Sequence, residues 1–131
     1  MISENMRFGF WPNPRSDYES TKILAQHAEA TGWDGIWLAD HFLPEEDALI
    51  PVHESWVTMA ALARDVPRVR LGTLVTGNTY RHPAVLANMA STLDNLADGR
   101  VVLGLGAGWQ QNEHDAYGIE YGTVGSRLDR L

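Results

Sequence analysis

An α/β fold with a parallel sheet is the class this sequence predicts, and three observations predict it. Strand-like apolar runs begin near Arg7, Gly35, Val69 and Val101. A helical pattern separates each pair, and strict strand–helix alternation at this spacing implies parallel pairing. The run Gly35-Ile36-Trp37-Leu38-Ala39 is apolar throughout, as expected of a strand covered on both faces.

The first strand is Arg7 to Trp11, ended by Pro12-Asn13-Pro14. Ser16-Asp17-Tyr18-Glu19 then reads as a capping box, with Ser16 at the cap and Glu19 three residues on. The helix it opens carries Leu24, Ala25 and Ala28 on one face and ends near Gly32, a residue type suited to the position after a helix. The second strand is Gly35 to Ala39. A loop from Phe42 to Val52 follows, with Pro44, Glu45, Glu46, Asp47 and Pro51; its length suits a lid or binding loop. Trp56, Met59, Ala60 and Ala63 fall at helical spacing, and Val66-Pro67 stops that helix.

The third strand is Val69 to Val75. Pro83 suits a first helical position, and Leu86, Met89, Ala90, Leu93 and Ala97 mark the buried face of the helix it opens. Asp98-Gly99 ends that helix. The fourth strand, Val101 to Leu105, runs into Gly106-Ala107-Gly108. Gln110 to Ala116 suits a short helix, and Ser126 a further cap, five residues before Leu131. About four strand–helix units fit a small four-stranded sandwich or half of an eight-unit barrel, which needs roughly 250 residues. The open last helix favours the half-barrel.

Composition narrows the function. The 131 residues are 44% hydrophobic, enough for one packed domain. A net charge of −7 with scattered basic residues argues against a nucleic-acid partner. There is no cysteine, hence no disulfide framework or thiolate metal site. Met1-Ile2-Ser3-Glu4-Asn5 is unlike a signal peptide, and no apolar run approaches a membrane span. A cytoplasmic protein without a membrane partner is expected.

Chemistry concentrates where strands end. The second strand delivers Asp40 and His41 to one sheet edge, where α/β barrels do their chemistry. A histidine at a cleft can move a proton to or from a substrate hydroxyl. A strand-end Asp capping the next turn is the plain alternative. A metal is the competing use: His41, His53, His82 and His114 fall on the same edge, whereas His27 lies within the first helix. None has the spacing of a metal motif, and no further Asp or Glu converges with them, so no metal is expected.

Gly104-Leu105-Gly106-Ala107-Gly108-Trp109 lacks the third glycine of a dinucleotide fingerprint, and it follows the fourth strand rather than the first. Its glycines admit a flat ligand or a neighbouring backbone. Trp11, Trp37 and Trp109 stand at or near strand ends, where they suit a pocket for a planar ring. Tyr80, Arg81 and His82 crowd the same edge.

Three segments, Thr31 to Phe42, Arg70 to Pro83 and Asp98 to Trp109, resemble the luciferase-like monooxygenase superfamily, closest to its coenzyme F420-dependent oxidoreductases. The resemblance runs from about Arg7 to Leu131 and implies a TIM-like (β/α)8 barrel. Residues 1–131 would be its N-terminal half, strands one to four, with no second domain. It implies hydride transfer between F420 and a small organic substrate, with FMN-dependent monooxygenation as the sibling chemistry. It implies a bulge with a non-prolyl cis peptide at Leu74–Val75, so that Thr73, Leu74 and Val75 shelve the ring. Asp40, Gly106, Ala107 and Asn112 match cofactor-contacting positions, and His41 the histidine that assists hydride transfer. Trp11, Tyr80 and Trp109 would line the substrate pocket. Trp109 stands where the sugar-phosphate branch has glutamate, which argues against a sugar-phosphate substrate.

Half a barrel exposes two strand edges, so self-association into a homo-oligomer and little activity alone are expected. A metal-dependent barrel hydrolase and a non-catalytic half-barrel association module remain as readings of other classes.

Overall fold

A computed structural model of the chain describes residues 6–45, 50 and 52–131. Met1–Asn5 and the loop residues Glu46, Asp47 and Pro51 lie outside the described residues. The elements run β1 (Gly9–Phe10), α1 (Tyr18–Ala30), β2 (Gly35–Leu38), α2 (Ser55–Asp65), β3 (Arg70–Thr73), β4 (Thr76–Gly77), α3 (Pro83–Leu96), β5 (Val101–Val102), β6 (Leu105–Gly106), α4 (Gln111–Tyr117) and α5 (Val124–Asp129).

Strand order is β1-β2-β3-β5, every pair parallel, with β4 and β6 pairing separately beyond it. The third and fourth strands of the sequence are thus each broken in two. The break in the third falls at Leu74–Val75, whose peptide bond is cis. β1 is two residues rather than the five expected, because only Gly9 and Phe10 meet β2 in register.

Alternation sorts the side chains. Ile36, Leu38 and Leu71 enter one core with Ala25, Ala28, Met59, Leu62 and Leu93, so the helices cover that face. Trp37 takes the other face. A Cβ on Gly9, Gly35 or Gly72 would lie 1.7, 2.9 or 2.7 Å from its indole, so glycine on three adjacent strands makes room for it. Leu24 and Ala60, expected on buried faces, are exposed; Thr21 and Leu62 turn inward instead. The rest of each stripe, Ala25 and Ala28 on α1 and Trp56, Met59 and Ala63 on α2, is buried as the periodicity implies.

Two caps also differ from expectation. Asp17, not Ser16, caps α1: its carboxylate accepts the Ser20 amide at 2.8 Å. Thr123, not Ser126, caps α5; Ser126 occupies the third helical position and completes a capping box there. Pro83 does open α3, and Pro67 follows the end of α2. Arg100 closes that helix end by donating to the carbonyls of Ala63, Val66 and Val69, each at 2.8 Å. Among the described residues, no helix is long and apolar enough to cross a membrane.

Candidate active site

Every β-strand ends toward the same edge, so the residues after β2, β3 and β6 converge. They enclose a cleft of about 200 Å³ bounded by Trp11, Asp40, His41, Leu74, Val75, Gly77, Tyr80, Gly108 and Trp109. A larger groove of about 570 Å³ lies between α2 and α3. Its lining, from Trp56 to Leu96, holds no titratable side chain, whereas the smaller cleft gathers Asp40, His41 and Tyr80.

Asp40 is 1% exposed and fully engaged. Arg81 donates to both its oxygens, at 2.6 and 3.0 Å, and Ser55 Oγ donates at 2.7 Å. Arg81 also pairs with Glu54, the cap of α2. Burial would lower the Arg81 pKa, but the hydrogen bond and charge of Asp40, then Glu54, raise it above the ordinary arginine value. The Asp40 charge is therefore neutralised within the protein before any ligand arrives.

Glu113, on α4, is the second hub, and its side chain is completely buried. One oxygen faces His41 Nδ1 at 2.7 Å and accepts the Tyr80 hydroxyl. The other accepts the amides of Phe42 at 2.6 Å and Leu43 at 3.1 Å. Burial pushes its carboxyl up, yet the bonds from His41, Tyr80 and the two amides prevail and hold it below the usual value. Burial and then the Glu113 bond raise the Tyr80 phenol, which stays a proton donor.

Neighbouring side chains of α4 hold the same loop. Gln110 Nε2 donates to the Leu43 carbonyl at 2.8 Å and Asn112 Nδ2 to that of Pro44 at 3.0 Å. His114 is buried, with Nδ1 2.7 Å from the Gln110 carbonyl and Nε2 2.7 Å from the Thr79 hydroxyl.

The sequence-derived candidates divide. His41, Asp40, Leu74, Val75, Trp11, Tyr80 and Trp109 meet at the cleft. Thr73, Gly106, Ala107 and Asn112 do not line it. Thr73 is buried beneath the bulge, bonded to Thr76 Oγ1 at 2.8 Å. Gly106 backs onto Val75: a Cβ there would lie 2.5 Å from Val75 Cγ2. Gly104 backs onto the Thr73 carbonyl in the same way, at 2.3 Å. These two glycines admit a neighbouring segment of the chain rather than a ligand.

Of the other histidines, His82 caps α3, and His27 and His53 are exposed. Contrary to the sequence expectation, a carboxylate does converge with a strand-end histidine: Glu113 meets His41 across 72 residues. Among the described residues no three His, Asp or Glu side chains form a metal-holding group. No local spacing marks Glu113, because its partners are distant in sequence; its place beside His114 after the fourth strand is the available signal.

Comparison with known proteins settles the family. Residues 5–131 match the family model for luciferase-like monooxygenases. The chain belongs to that family.

Among luciferase-like relatives, an F420-dependent glucose-6-phosphate dehydrogenase of Amycolatopsis mediterranei is 40% identical over 110 residues. That match covers 82% of this chain and 32% of the relative. A solved F420-dependent secondary alcohol dehydrogenase, in complex with an F420-acetone adduct, superposes with a TM-score of 0.85 at 28% identity. It covers 95% of this chain and 38% of that one. The oxygenating constituent of 3,6-diketocamphane monooxygenase from Pseudomonas putida, in complex with FMN, has a TM-score of 0.76 at 20% identity, a likeness of fold alone. It is covered for 37% of its length and this chain for 95%. These structural neighbours are TIM-barrel luciferase-like enzymes, and the chain spans about a third of the curated relatives it matches.

Proposed function

We propose that this chain supplies one wall of a deazaflavin site, for hydride transfer between coenzyme F420 and a small uncharged alcohol or carbonyl. The observation that carries the reading is the cleft itself. Leu74 and Val75 are 52% and 41% exposed at the bulge. With Trp11 and Trp109 they offer a flat apolar surface beside an imidazole. Uncovered apolar side chains in a cleft mark a binding surface. The residues present therefore fit a planar ring. Among the described residues no Lys or Arg lines the cleft, so a phosphate-bearing tail has no cation there.

Once bound there, F420 would supply the hydride chemistry, accepting a hydride at C5 or returning it. The protein's part is position and proton handling. The Gly104–Gly106 segment backs Val75, and Thr73 beneath it bonds Thr76 and the Gly104 carbonyl. His41 takes the hydroxyl proton as an alcohol becomes a carbonyl, and gives it back in the reverse direction. Trp109 packs edge-on against His41, with ring centroids 5.5 Å apart, and turns an apolar face to the substrate. A small cleft without a free cation favours an uncharged substrate over a sugar phosphate. The 40% identity to an F420-dependent relative supports F420 over FMN.

Single-turnover reduction of F420 by a small secondary alcohol, with the chain in excess, tests this reading. Slow reduction by the wild-type chain is expected, falling about 10²–10⁴-fold in His41→Gln. Equal rates in the two proteins would remove His41 from the reaction. The two outer strands of the sheet, β1 and β5, add an association proposal: the chain forms homo-oligomers through those edges. A monodisperse monomer in light scattering would contradict it.

A further inference from the structure

We propose that Glu113 is the positioning residue that fixes the tautomer of His41, so that Nδ1 carries the ring proton and Nε2 presents its lone pair to the cleft. The inference deepens the acid–base reading of His41 and rests on it for its catalytic meaning, but it stands on geometry of its own.

Four donors converge on one carboxylate. An ionised carboxylate only accepts, so a ring nitrogen 2.7 Å from it must donate. His41 Nδ1 therefore holds the hydrogen. Among the described residues no partner meets Nε2, and His41 is a cleft residue. A neutral imidazole has one donor and one acceptor nitrogen, so Nε2 is the acceptor. An alcohol oxidation needs that state, because the hydroxyl proton must have somewhere to go as the hydride leaves carbon.

The same hub makes the claim sharp. The Phe42 and Leu43 amides occupy one oxygen of Glu113, and backbone amides can only donate. In Glu113→Gln the amide oxygen must stay on that side. The new –NH2 then faces His41 and Tyr80. Nδ1 must become the acceptor, and the ring proton moves to Nε2. A near-isosteric change should thus invert the tautomer without emptying the site.

His114 is a built-in control. Its Nδ1 faces the Gln110 carbonyl at 2.7 Å, so that nitrogen must donate whatever stands at position 113. Its Nε2 accepts from Thr79 Oγ1 at 2.7 Å.

The test is a long-range 1H–15N correlation of the histidine rings in the 15N-labelled chain, well above the ordinary imidazole pKa. The His41 signals are identified by their loss in His41→Gln. The expected wild-type pattern is a protonated, pyrrole-type Nδ1 and a pyridine-type Nε2. In Glu113→Gln the pattern should reverse at His41 and persist at His114. A protonated Nε2 in the wild type overturns the proposal, as does an unchanged His41 tautomer in the variant. Should the variant not fold, the wild-type spectrum decides alone, Nδ1–H supporting the proposal and Nε2–H overturning it. If the tautomers behave as expected while His41→Gln leaves F420 reduction unchanged, the positioning role stands and the acid–base reading falls.

Discussion

Arg81 holds both carboxylate oxygens of Asp40, at 2.6 and 3.0 Å, across 41 residues of chain. The pair joins the end of β2 to the turn before α3. Asp40→Asn keeps the shape but leaves a buried guanidinium facing only Glu54. Breaking a buried ion pair from one side costs about 3–5 kcal/mol. A lowered urea midpoint is expected, with the slope of the transition unchanged; an unshifted midpoint would show that Glu54 alone satisfies Arg81.

Glu113 should make stability depend on pH in acid. Its carboxyl is held below the ordinary glutamate value in the folded chain by the bonds from His41, Tyr80 and the two amides. A group depressed on folding contributes stability above its unfolded value and loses it as pH falls through the folded one. The loss for one such group is about 1.4 kcal/mol per pH unit at most. Urea midpoints measured from neutrality down through that range should fall for the wild type. The fall should be shallower in Glu113→Gln, which has nothing to protonate there. Parallel curves would place the acid sensitivity elsewhere.

Two glycines two residues apart, Gly104 and Gly106, should behave differently. A Cβ on Gly104 meets the Thr73 carbonyl oxygen at 2.3 Å, and backbone does not yield easily. Gly104→Ala is expected to cost about 1–3 kcal/mol, the usual range for overpacking. A Cβ on Gly106 meets only the tip of the Val75 side chain, at 2.5 Å. Val75 is exposed and can turn away. Gly106→Ala should fold with a smaller loss and should weaken ring binding instead, because it reshapes the shelf. Equal urea midpoints for the two variants would contradict this.

Much of the fold is written locally. Pro67, Pro83, Gly32 and Asp98-Gly99 punctuate the helices by backbone chemistry that needs no partner, and the structure keeps those boundaries. Cap identity was less legible: Ser16 and Asp17 are both competent, and the glutamate three residues after Ser16 matched the pattern of a box that does not form. Resemblance, not apolar pattern, located the break at Leu74–Val75, since Val69 to Val75 reads as one apolar strand.

The strand end was legible: Asp40 and His41 follow β2 and border the cleft, as the pattern of that run implies. The site was not legible where polar side chains serve one another across the fold. Asn112, expected at the cofactor edge, is used on the Pro44 carbonyl, and Glu113 beside it is the hub. Nothing in the local spacing of α4 separates those two roles.

The shelf at Leu74–Val75 is the centre of the functional reading, and fluorescence titration of F420 into the chain tests it most directly, with FMN as competitor. Val75→Asp is the companion, since Val75 is exposed enough for the fold to tolerate a charge there. Saturable F420 binding by the wild type, poorly displaced by FMN and lost in Val75→Asp, is the expected result. No saturable binding by the wild type, or equal binding by both proteins, would contradict a ring shelf at this bulge.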